Sequence, residues 1–176
     1  TVAAGDFVVE DGVLLSFTGL TTTVTIPQDV YYIADGAFKE NTNINKVVLH
    51  NSVEIIGNEA FYGCTSLESI VIPNSVTELG EAVFYGCNSL KSVVIGDGVT
   101  EIADRAFDRC EFLGIVILGA NVQTVGVNAF DRDKCLLSEG NVYYKGSAED
   151  FLHISFAEGN TNLTGAVKYY YSATEP

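Results

Sequence analysis

The chain has 176 residues, 47% of them hydrophobic, and its 9 basic against 23 acidic residues give a formal net charge of −14. Nucleic-acid-binding proteins need lysine and arginine to replace the counterions on phosphates, so this charge excludes DNA and RNA as partners. No run of about 18 apolar residues exists, which excludes a membrane span in this sequence. The chain starts at Thr1, lacks methionine and shows no signal peptide, so we expect a mature or truncated fragment of a longer precursor.

The first predicted element is a β-hairpin. Two strand-like segments, 7–10 and 13–17, flank Asp11-Gly12, which is the two-residue signature of a type I′ turn. At the end of a repeat protein, such a hairpin covers the apolar face of the first unit and blocks aggregation through strand edges. We therefore predict an N-terminal cap over residues 1–20.

A 23-residue repeat follows the hairpin. Phenylalanine recurs at this spacing without a slip, and each unit also carries the L-x-x-L-x-L pattern of leucine-rich repeats. An unbroken period indicates that each unit is one rung of a solenoid. We predict about five repeats over residues 21–140, counting the first from Leu15, with strands at 22–26, 45–49, 68–72, 91–95 and 114–118. The repeated phenylalanines are Phe38, Phe61, Phe84, Phe107 and Phe130.

The connections between these strands are too short for full helices. The strand and two apolar turns already use most of the 23 residues, so short extended or 3₁₀ segments are expected. The predicted fold class is a leucine-rich repeat solenoid, a right-handed, mostly β superhelix with one curved parallel sheet along its concave side.

The repeat register breaks after Leu136. The next apolar pair of a strand comes three residues late, as Val142 and Tyr144, which predicts a short insertion before the last rung.

The remaining residues predict a C-terminal cap over 141–173. Ser147 and Asp150 resemble a capping box and begin a short helix to about Ile154, with Phe151 on its apolar face. A final strand is expected at 167–171, and residues 174–176 begin a linker. The whole chain, 1–176, is thus predicted to be a single domain.

Three of the four cysteines obey the repeat. Cys64, Cys87 and Cys110 each follow a repeated phenylalanine by three residues, whereas Cys135 is out of register. Rungs about 4.8 Å apart bring such residues within disulfide distance, but parallel stacked side chains seldom reach the required dihedral angle. A row of ligands also suits a tetrahedral metal site poorly. We expect buried, reduced thiols, with a disulfide or a metal as open alternatives.

The sequence offers no recognisable catalytic site. His50 and His153 lack partners at a catalytic spacing, and no cofactor motif is present. A pair of carboxylates from different rungs, as in a glycosidase, remains an open alternative. One cluster of acidic residues could bind calcium or form salt bridges. The arginines interleaved with it favour salt bridges. That cluster comprises Asp104, Asp108, Asp131 and Asp133, with Arg105, Arg109 and Arg132 between them.

The strongest functional signal lies on the predicted sheet, whose outward columns are unusually apolar. Contiguous exposed apolar patches usually mark an interface, although valine and isoleucine also favour strands wherever they lie. One interpretation is therefore a binding or self-association face, and the other is β-propensity alone. The predicted face comprises Thr25, Lys46, Val48, Ser69, Val71, Ser92, Val94, Ile115 and Ile117, next to Thr23.

Tyrosines form a second candidate surface. Tyrosine offers a flat apolar ring with a polar tip, which suits protein or sugar contacts, but stacked tyrosines also stabilise a ladder. The residues of this secondary aromatic surface are Tyr31, Tyr32, Tyr62 and Tyr85, and a further group is Tyr169, Tyr170 and Tyr171.

The repeat units closely resemble the BspA-like, treponemal-type leucine-rich repeats. The resemblance is carried by VEIIGNEAFYGCTSL at 53–67, VTELGEAVFYGCNSL at 76–90 and IVIP at 70–73. It implies a bacterial, secreted or surface-attached, non-enzymatic protein that adheres to host matrix proteins or to other cells. We therefore expect a protein-binding module that uses the concave face and needs no cofactor. The alternatives are a structural spacer or self-association domain of a longer surface protein, and a carbohydrate-binding module.

Overall fold

A computed structural model describes residues 6–132, 136 and 140–170, and it confirms the solenoid. Within these residues the chain forms two short helices and three sheets, all of whose strand pairs are parallel except the N-terminal hairpin. The predictions for Asp133, Cys135, Tyr171 and the linker at 174–176 lie outside the described residues. The division of the chain into caps, repeats and linker stays a prediction.

The predicted N-terminal hairpin is confirmed. Strands β1 (Phe7–Glu10) and β2 (Val13–Phe17) pair antiparallel. The φ angles of Asp11 and Gly12 are 48° and 76°, and two successive positive values define a type I′ turn.

The main sheet has seven parallel strands. Alternate side chains point to opposite faces of each strand, so the central residue of the repeat strands enters the core and its neighbours face outward. The late apolar pair is confirmed, since Val142 and Tyr144 lie opposite Val116 and Leu118. The strands are β3 (Thr23–Thr25), β5 (Lys46–Val48), β7 (Ser69–Val71), β9 (Ser92–Val94), β11 (Ile115–Leu118), β13 (Asn141–Tyr144) and β15 (Val167–Tyr170).

A second parallel ladder, which the sequence did not predict, runs through the connecting segments. Any extended segment that repeats with each rung faces its copy in the next rung and can form strand hydrogen bonds, so two residues suffice for a strand. Its strands are β4 (Tyr32–Ile33), β6 (Ile55–Ile56), β8 (Glu78–Leu79), β10 (Glu101–Ile102), β12 (Thr124–Val125) and β14 (Ser155–Phe156). The ladder is split into a five-stranded sheet, β1-β2-β4-β6-β8, and a three-stranded sheet, β10-β12-β14.

The phenylalanine column forms the centre of the core. Neighbouring rings from Phe38 to Phe130 stack with centroids 4.8–5.3 Å apart. The register counted from Leu15 is confirmed, since Val24 lies opposite Val47. Leu15 itself is 40% exposed, and Phe17 extends the phenylalanine column by packing on Phe38 at 5.4 Å. Strand β2 enters from the hairpin, and its Phe17 N–H bonds the carbonyl of Ala37, as Phe38 bonds Ala60 one rung later.

The cysteine column is buried and reduced among the described residues, as predicted. Each thiol donates a hydrogen bond to the carbonyl of a phenylalanine 26 residues earlier, at 3.1–3.2 Å. Burial raises the pKa of Cys64 to about 12 and also raises the pKa of Cys87. The cysteines therefore act as small core residues that bind one rung to the one before it.

The C-terminal cap contains the predicted helix, α1 (Ala148–Leu152), which ends two residues before Ile154. Ser147 caps it, and the reciprocal capping box with Asp150 is present. Strand β14 and a second helix, α2 (Thr161–Gly165), were not predicted. The part of the chain described by the structure contains no helix long and apolar enough to span a bilayer.

Candidate functional site

The candidate site is the outer face of the seven-stranded sheet. The structure brings all nine predicted residues together on this face in two parallel rows, in the registers of adjacent strands. Val71 is 59% exposed and Ile115 is 43% exposed, whereas Val94 and Ile117 are half-buried. The row of Val48, Val71, Val94 and Ile117 is therefore continuous, apolar and open to solvent.

Two tyrosines extend this row towards the C-terminus. Tyr143 lies opposite Ile117, and Tyr169 lies opposite Tyr143 with ring centroids 4.9 Å apart. Tyr143 was missed as a site residue in the sequence. Its two neighbours, Val142 and Tyr144, are core residues, so strand alternation predicts that Tyr143 faces outward. We define the outer face as Thr23, Thr25, Lys46, Val48, Ser69, Val71, Ser92, Val94, Ile115, Ile117, Asn141, Tyr143 and Tyr169.

The outer face carries no carboxylate. None of its members is aspartate or glutamate, although the chain has 23 acidic residues, and its one charged member is Lys46. At its border Glu68 and Lys91 form an exposed ion pair with 3.5 Å between the charged atoms. The outer face is thus an apolar, nearly uncharged strip on a strongly acidic protein.

The secondary aromatic residues do not form one surface. Tyr62 and Tyr85 stack with centroids 4.8 Å apart and planes within 5°. The ammonium of Lys39 lies 4.8 Å from the centroid of Tyr62, and the guanidinium of Arg109 lies 5.5 Å from that of Tyr85. The two rings therefore contact each other and are flanked by cations, as in a packed ladder.

The other two tyrosines belong to a different part of the rung. Tyr32 lies in β4 beside Ile55, and Tyr31 packs over Gly12 of the hairpin turn. Among the described residues neither makes a ring contact with Tyr62 or Tyr85.

The acidic cluster is arranged by hydrogen bonds and arginines. Asp104 accepts a hydrogen bond from the backbone N–H of Val127, and Asp131 forms an ion pair with Arg132 at 3.7 Å. Asp108 is buried, and one of its carboxylate oxygens has no hydrogen-bond partner in the described part of the chain. Burial, with the nearby charge of Asp131, raises the pKa of Asp108. Within that same part, no three histidine, cysteine or acidic side chains are placed to hold a metal ion.

Both histidines bond to the backbone. His50 accepts a hydrogen bond from the N–H of Ser52 at Nδ1 and bonds the carbonyl of Pro27 through Nε2, 2.8 Å away. This arrangement fixes the neutral ring with its proton on Nε2. His153 bonds the carbonyl of Glu149 through Nδ1. His50 is therefore a turn residue, at the repeat position that Pro27 and Pro73 occupy in the neighbouring rungs.

A column of short polar side chains, which the sequence reasoning missed, connects successive rungs. Asp35, Asn58 and Asp104 each accept, through Oδ1, the backbone N–H that lies 23 residues later. Aspartate and asparagine suit this position because their side-chain oxygen is close enough to the backbone to replace a turn hydrogen bond. Their 23-residue spacing was the available signal.

Comparisons with known proteins agree with this geometry. A family model described as the BspA type leucine-rich repeat region matches residues 16–136 with six copies. The chain belongs to the BspA-type leucine-rich repeat family. No curated protein is similar enough to this BspA-type chain to count as a match.

Solved structures share the BspA-type fold at low sequence identity. A leucine-rich repeat protein from Eubacterium ventriosum is 19% identical with a TM-score of 0.70, over 94% of this chain and 48% of its own. The pneumococcal vaccine antigen PcpA is 15% identical with a TM-score of 0.61, over 93% of this chain and 45% of its own. The chain therefore spans about half the length of these structures.

Proposed function

We propose that this chain is a non-enzymatic protein-binding module of a secreted or surface-attached bacterial protein, and that its outer face contacts the partner. The observation that carries the proposal is the absence of carboxylates from an exposed apolar strip on a chain of net charge −14. Strand propensity favours valine and disfavours acidic residues, but the strands of the second ladder keep Glu78 and Glu101 at exposed positions. The similarity to a vaccine antigen supports a location outside the cell.

The shape of the outer face suits a protein partner. Seven strands about 4.8 Å apart give a strip roughly 29 Å long, which is long enough for a helix or an extended segment. The apolar row and the tyrosine pair supply desolvated contact area, and Lys46 and the serines supply hydrogen bonds at the edge. Because the face is nearly uncharged, the partner is expected to be an apolar protein surface, such as one in host matrix proteins or on bacterial cells.

The test replaces Val71 and Val94 together with glutamate. Burying two carboxylates against an apolar partner is strongly unfavourable, so adhesion to immobilised matrix proteins or bacterial cells should fall at least about tenfold. The matched control places glutamate at Gln123 and Thr124, which are exposed on the opposite ladder. Circular dichroism and thermal unfolding verify that both variants are folded. Unchanged adhesion of the folded Val71→Glu, Val94→Glu protein would refute the proposal.

A second pair of variants separates binding from strand propensity. Threonine is β-branched like valine but adds a hydroxyl, so Val71→Thr with Val94→Thr keeps the strand preference and weakens apolar contact. We expect unchanged stability and reduced adhesion. Full adhesion would instead assign the valines to strand formation.

Self-association through the same face is the second candidate function, that of a spacer module. The outer face is where two acidic copies can meet without opposing carboxylates. Analytical ultracentrifugation over a range of concentrations tests it, and a monomer at every concentration counts against it.

The carbohydrate-binding alternative has less support. Sugar recognition by tyrosine uses an open ring face, whereas the rings of Tyr62 and Tyr85 face each other and are flanked by Lys39 and Arg109.

A further inference from the structure

The two-residue ladder is interrupted at one junction, between β8 and β10. At the junction before it, the N–H groups of Thr77 and Gly80 donate to the carbonyls of Glu54 and Ile56 at 2.9 and 2.8 Å. At the junction after it, Gln123 and Gly126 donate in the same way to Thr100 and Ile102, each at 2.8 Å.

The equivalent hydrogen bonds are missing at the interrupted junction. They would run from Thr100 N–H to the carbonyl of Thr77 and from Ala103 N–H to the carbonyl of Leu79, and the described residues contain neither. We call this junction the ladder break. A groove of about 290 Å³ lies there, lined by residues of both rungs, so water can reach the unpaired backbone groups.

The ladder break coincides with a change of residue type at position 103. The column that precedes each left-handed turn contains Gly57, Gly80 and Gly126 in the inner rungs, with Ala103 instead of glycine at the ladder break. Ala34 and Ala157 occupy the same column in the end rungs. A Cβ atom added to these glycines would lie 2.8, 2.4 and 2.7 Å from the backbone nitrogen of the preceding rung. Ala103 carries that Cβ atom where two full repeats meet, whereas Ala34 and Ala157 carry it in the end rungs and still donate to the carbonyls of Leu14 and Val125 at 2.9 Å. We therefore attribute the ladder break to this Cβ atom only within the inner rungs.

A second substitution coincides with the first. The polar column of Asp35, Asn58 and Asp104 has Glu81 between Asn58 and Asp104, and the longer side chain does not make the inter-rung bond. The N–H of Asp104 consequently has no side-chain acceptor, whereas that of Val127 has one. The ladder break therefore lacks three inter-rung hydrogen bonds that other junctions make.

We propose that the solenoid bends preferentially at the ladder break, with the seven-stranded sheet as the hinge line. The sheet remains continuous there, because β7 and β9 pair in full register. Opening the ladder side at any other junction would break the hydrogen bonds described above, whereas at the ladder break those bonds are already absent.

The hinge line crosses the outer face between Val71 and Val94. Bending there changes the angle between the half of the face that contains Val48 and the half that contains Ile117 and Tyr143. The face can thus adjust its curvature without losing a strand pair. This hinge is a property of the isolated chain and does not rest on the proposed binding function.

Amide exchange measured by NMR tests the first step. The amides of Thr100, Ala103 and Asp104 should exchange at least about 100-fold faster than those of Gln123, Gly126 and Val127, their equivalents one rung later. Ala103→Gly should restore protection at 100 and 103. The reciprocal variant Gly126→Ala should create a second break and remove protection at 123 and 126. Equal protection at both junctions of the unaltered protein, or an intact ladder in Gly126→Ala, would overturn the assignment.

Distance distributions between spin labels test the bending itself. Labels at Glu54 and Ser155 span the ladder side across four rung intervals, and labels at Lys46 and Asn141 span the sheet side across the same number, about 19 Å each. Cys135→Ser in every protein, with the other thiols buried, keeps labelling specific.

We expect the distribution of label-to-label distances to be broader on the ladder side than on the sheet side. Ala103→Gly should narrow the distribution on the ladder side. Equally narrow distributions on both sides would refute the hinge even if the exchange data matched. A ladder-side width that Ala103→Gly leaves unchanged would also refute it, because the flexibility would then lie elsewhere.

Discussion

At the residue scale, each turn of the solenoid requires left-handed backbone on both sides of the repeated phenylalanine. Positive φ values occur two residues before and two residues after it, at Glu59 and Gly63 in one rung and at Ala82 and Gly86 in the next. The turn geometry sets these angles, and only some rungs relieve the resulting strain with glycine. Glycine at this turn is therefore favourable but not required.

Gly86 offers a direct measurement of this strain. Its φ is 69° and an added Cβ would meet nothing within 4 Å, so Gly86→Ala changes backbone strain without a clash. We expect a loss of about 1 kcal/mol in the free energy of unfolding, measured by urea denaturation.

Gly80→Ala is the matched comparison. An added Cβ there would lie 2.4 Å from the backbone nitrogen of Asn58, so the two rungs must separate. The expected cost is about 2–3 kcal/mol, as for overpacking. If Gly86→Ala and Gly80→Ala lowered the free energy of unfolding equally, backbone strain and close approach would not be separate causes.

The buried thiols predict a pH dependence of stability. Burial raises the pKa of Cys64 from its ordinary value of 9.0 to about 12, so the thiolate forms more readily in the unfolded chain. The contribution of the thiols to the free energy of unfolding should therefore be constant below about pH 9 and fall as pH rises from there to about 12, by up to about 1.4 kcal/mol per pH unit for each thiol. Urea titrations at several pH values measure this slope.

Cys87→Ala serves as the control for that slope. The variant keeps all tyrosines and lysines of the unaltered protein. A shallower decline of its free energy of unfolding with pH therefore measures the contribution of the Cys87 thiol. The pKa of Cys87 is also raised by burial, and identical slopes would contradict the assignment.

At the element scale, the structure contains strands and a helix that carry little sequence signal. A two-residue strand such as β8 has one exposed and one buried residue, which is too short for a period of two to be recognised. Helix α2 has the sequence TNLTG, a poor helix former, and it follows the buried side chain of Asn160. That side chain accepts from Phe130 N–H at 3.1 Å and donates to the carbonyl of Gly126 at 2.8 Å. Tertiary contacts therefore fix the position of this part of the cap.

Helix α1, in contrast, is specified by its own residues. The Oγ of Ser147 accepts a hydrogen bond from the N–H of Asp150, and the carboxylate of Asp150 accepts one from the N–H of Ser147. Hydrogen bonds from Ser147 lower the pKa of Asp150.

Replacing the N-cap tests this account of α1. Ser147→Ala should cost about 1 kcal/mol and bring the pKa of Asp150 back towards its ordinary value, as NMR titration would show. The return should be partial, because the backbone N–H at position 147 still donates to the carboxylate. A pKa equal to that in the unaltered protein would show that the hydroxyl of Ser147 does not cause the shift.

At the scale of the whole molecule, the fold could be predicted because burial selects residue type in every rung. The phenylalanine, leucine and valine columns are buried from end to end, and a period of 23 identifies them without structural information. The rows of the outer face followed from the same register by strand alternation. Asp108 and Ala103 could not be interpreted in advance, because one unbonded carboxylate oxygen and one close backbone approach depend on coordinates.

The distribution of charge also gives the molecule a preferred orientation. The 23 acidic residues all lie outside the outer face, and at physiological salt charges act over about 8 Å. Near any negatively charged envelope, the acidic sides are repelled and the sheet side is repelled least. We therefore expect the protein to approach such a surface with its valine and tyrosine row turned towards it, before any specific contact forms.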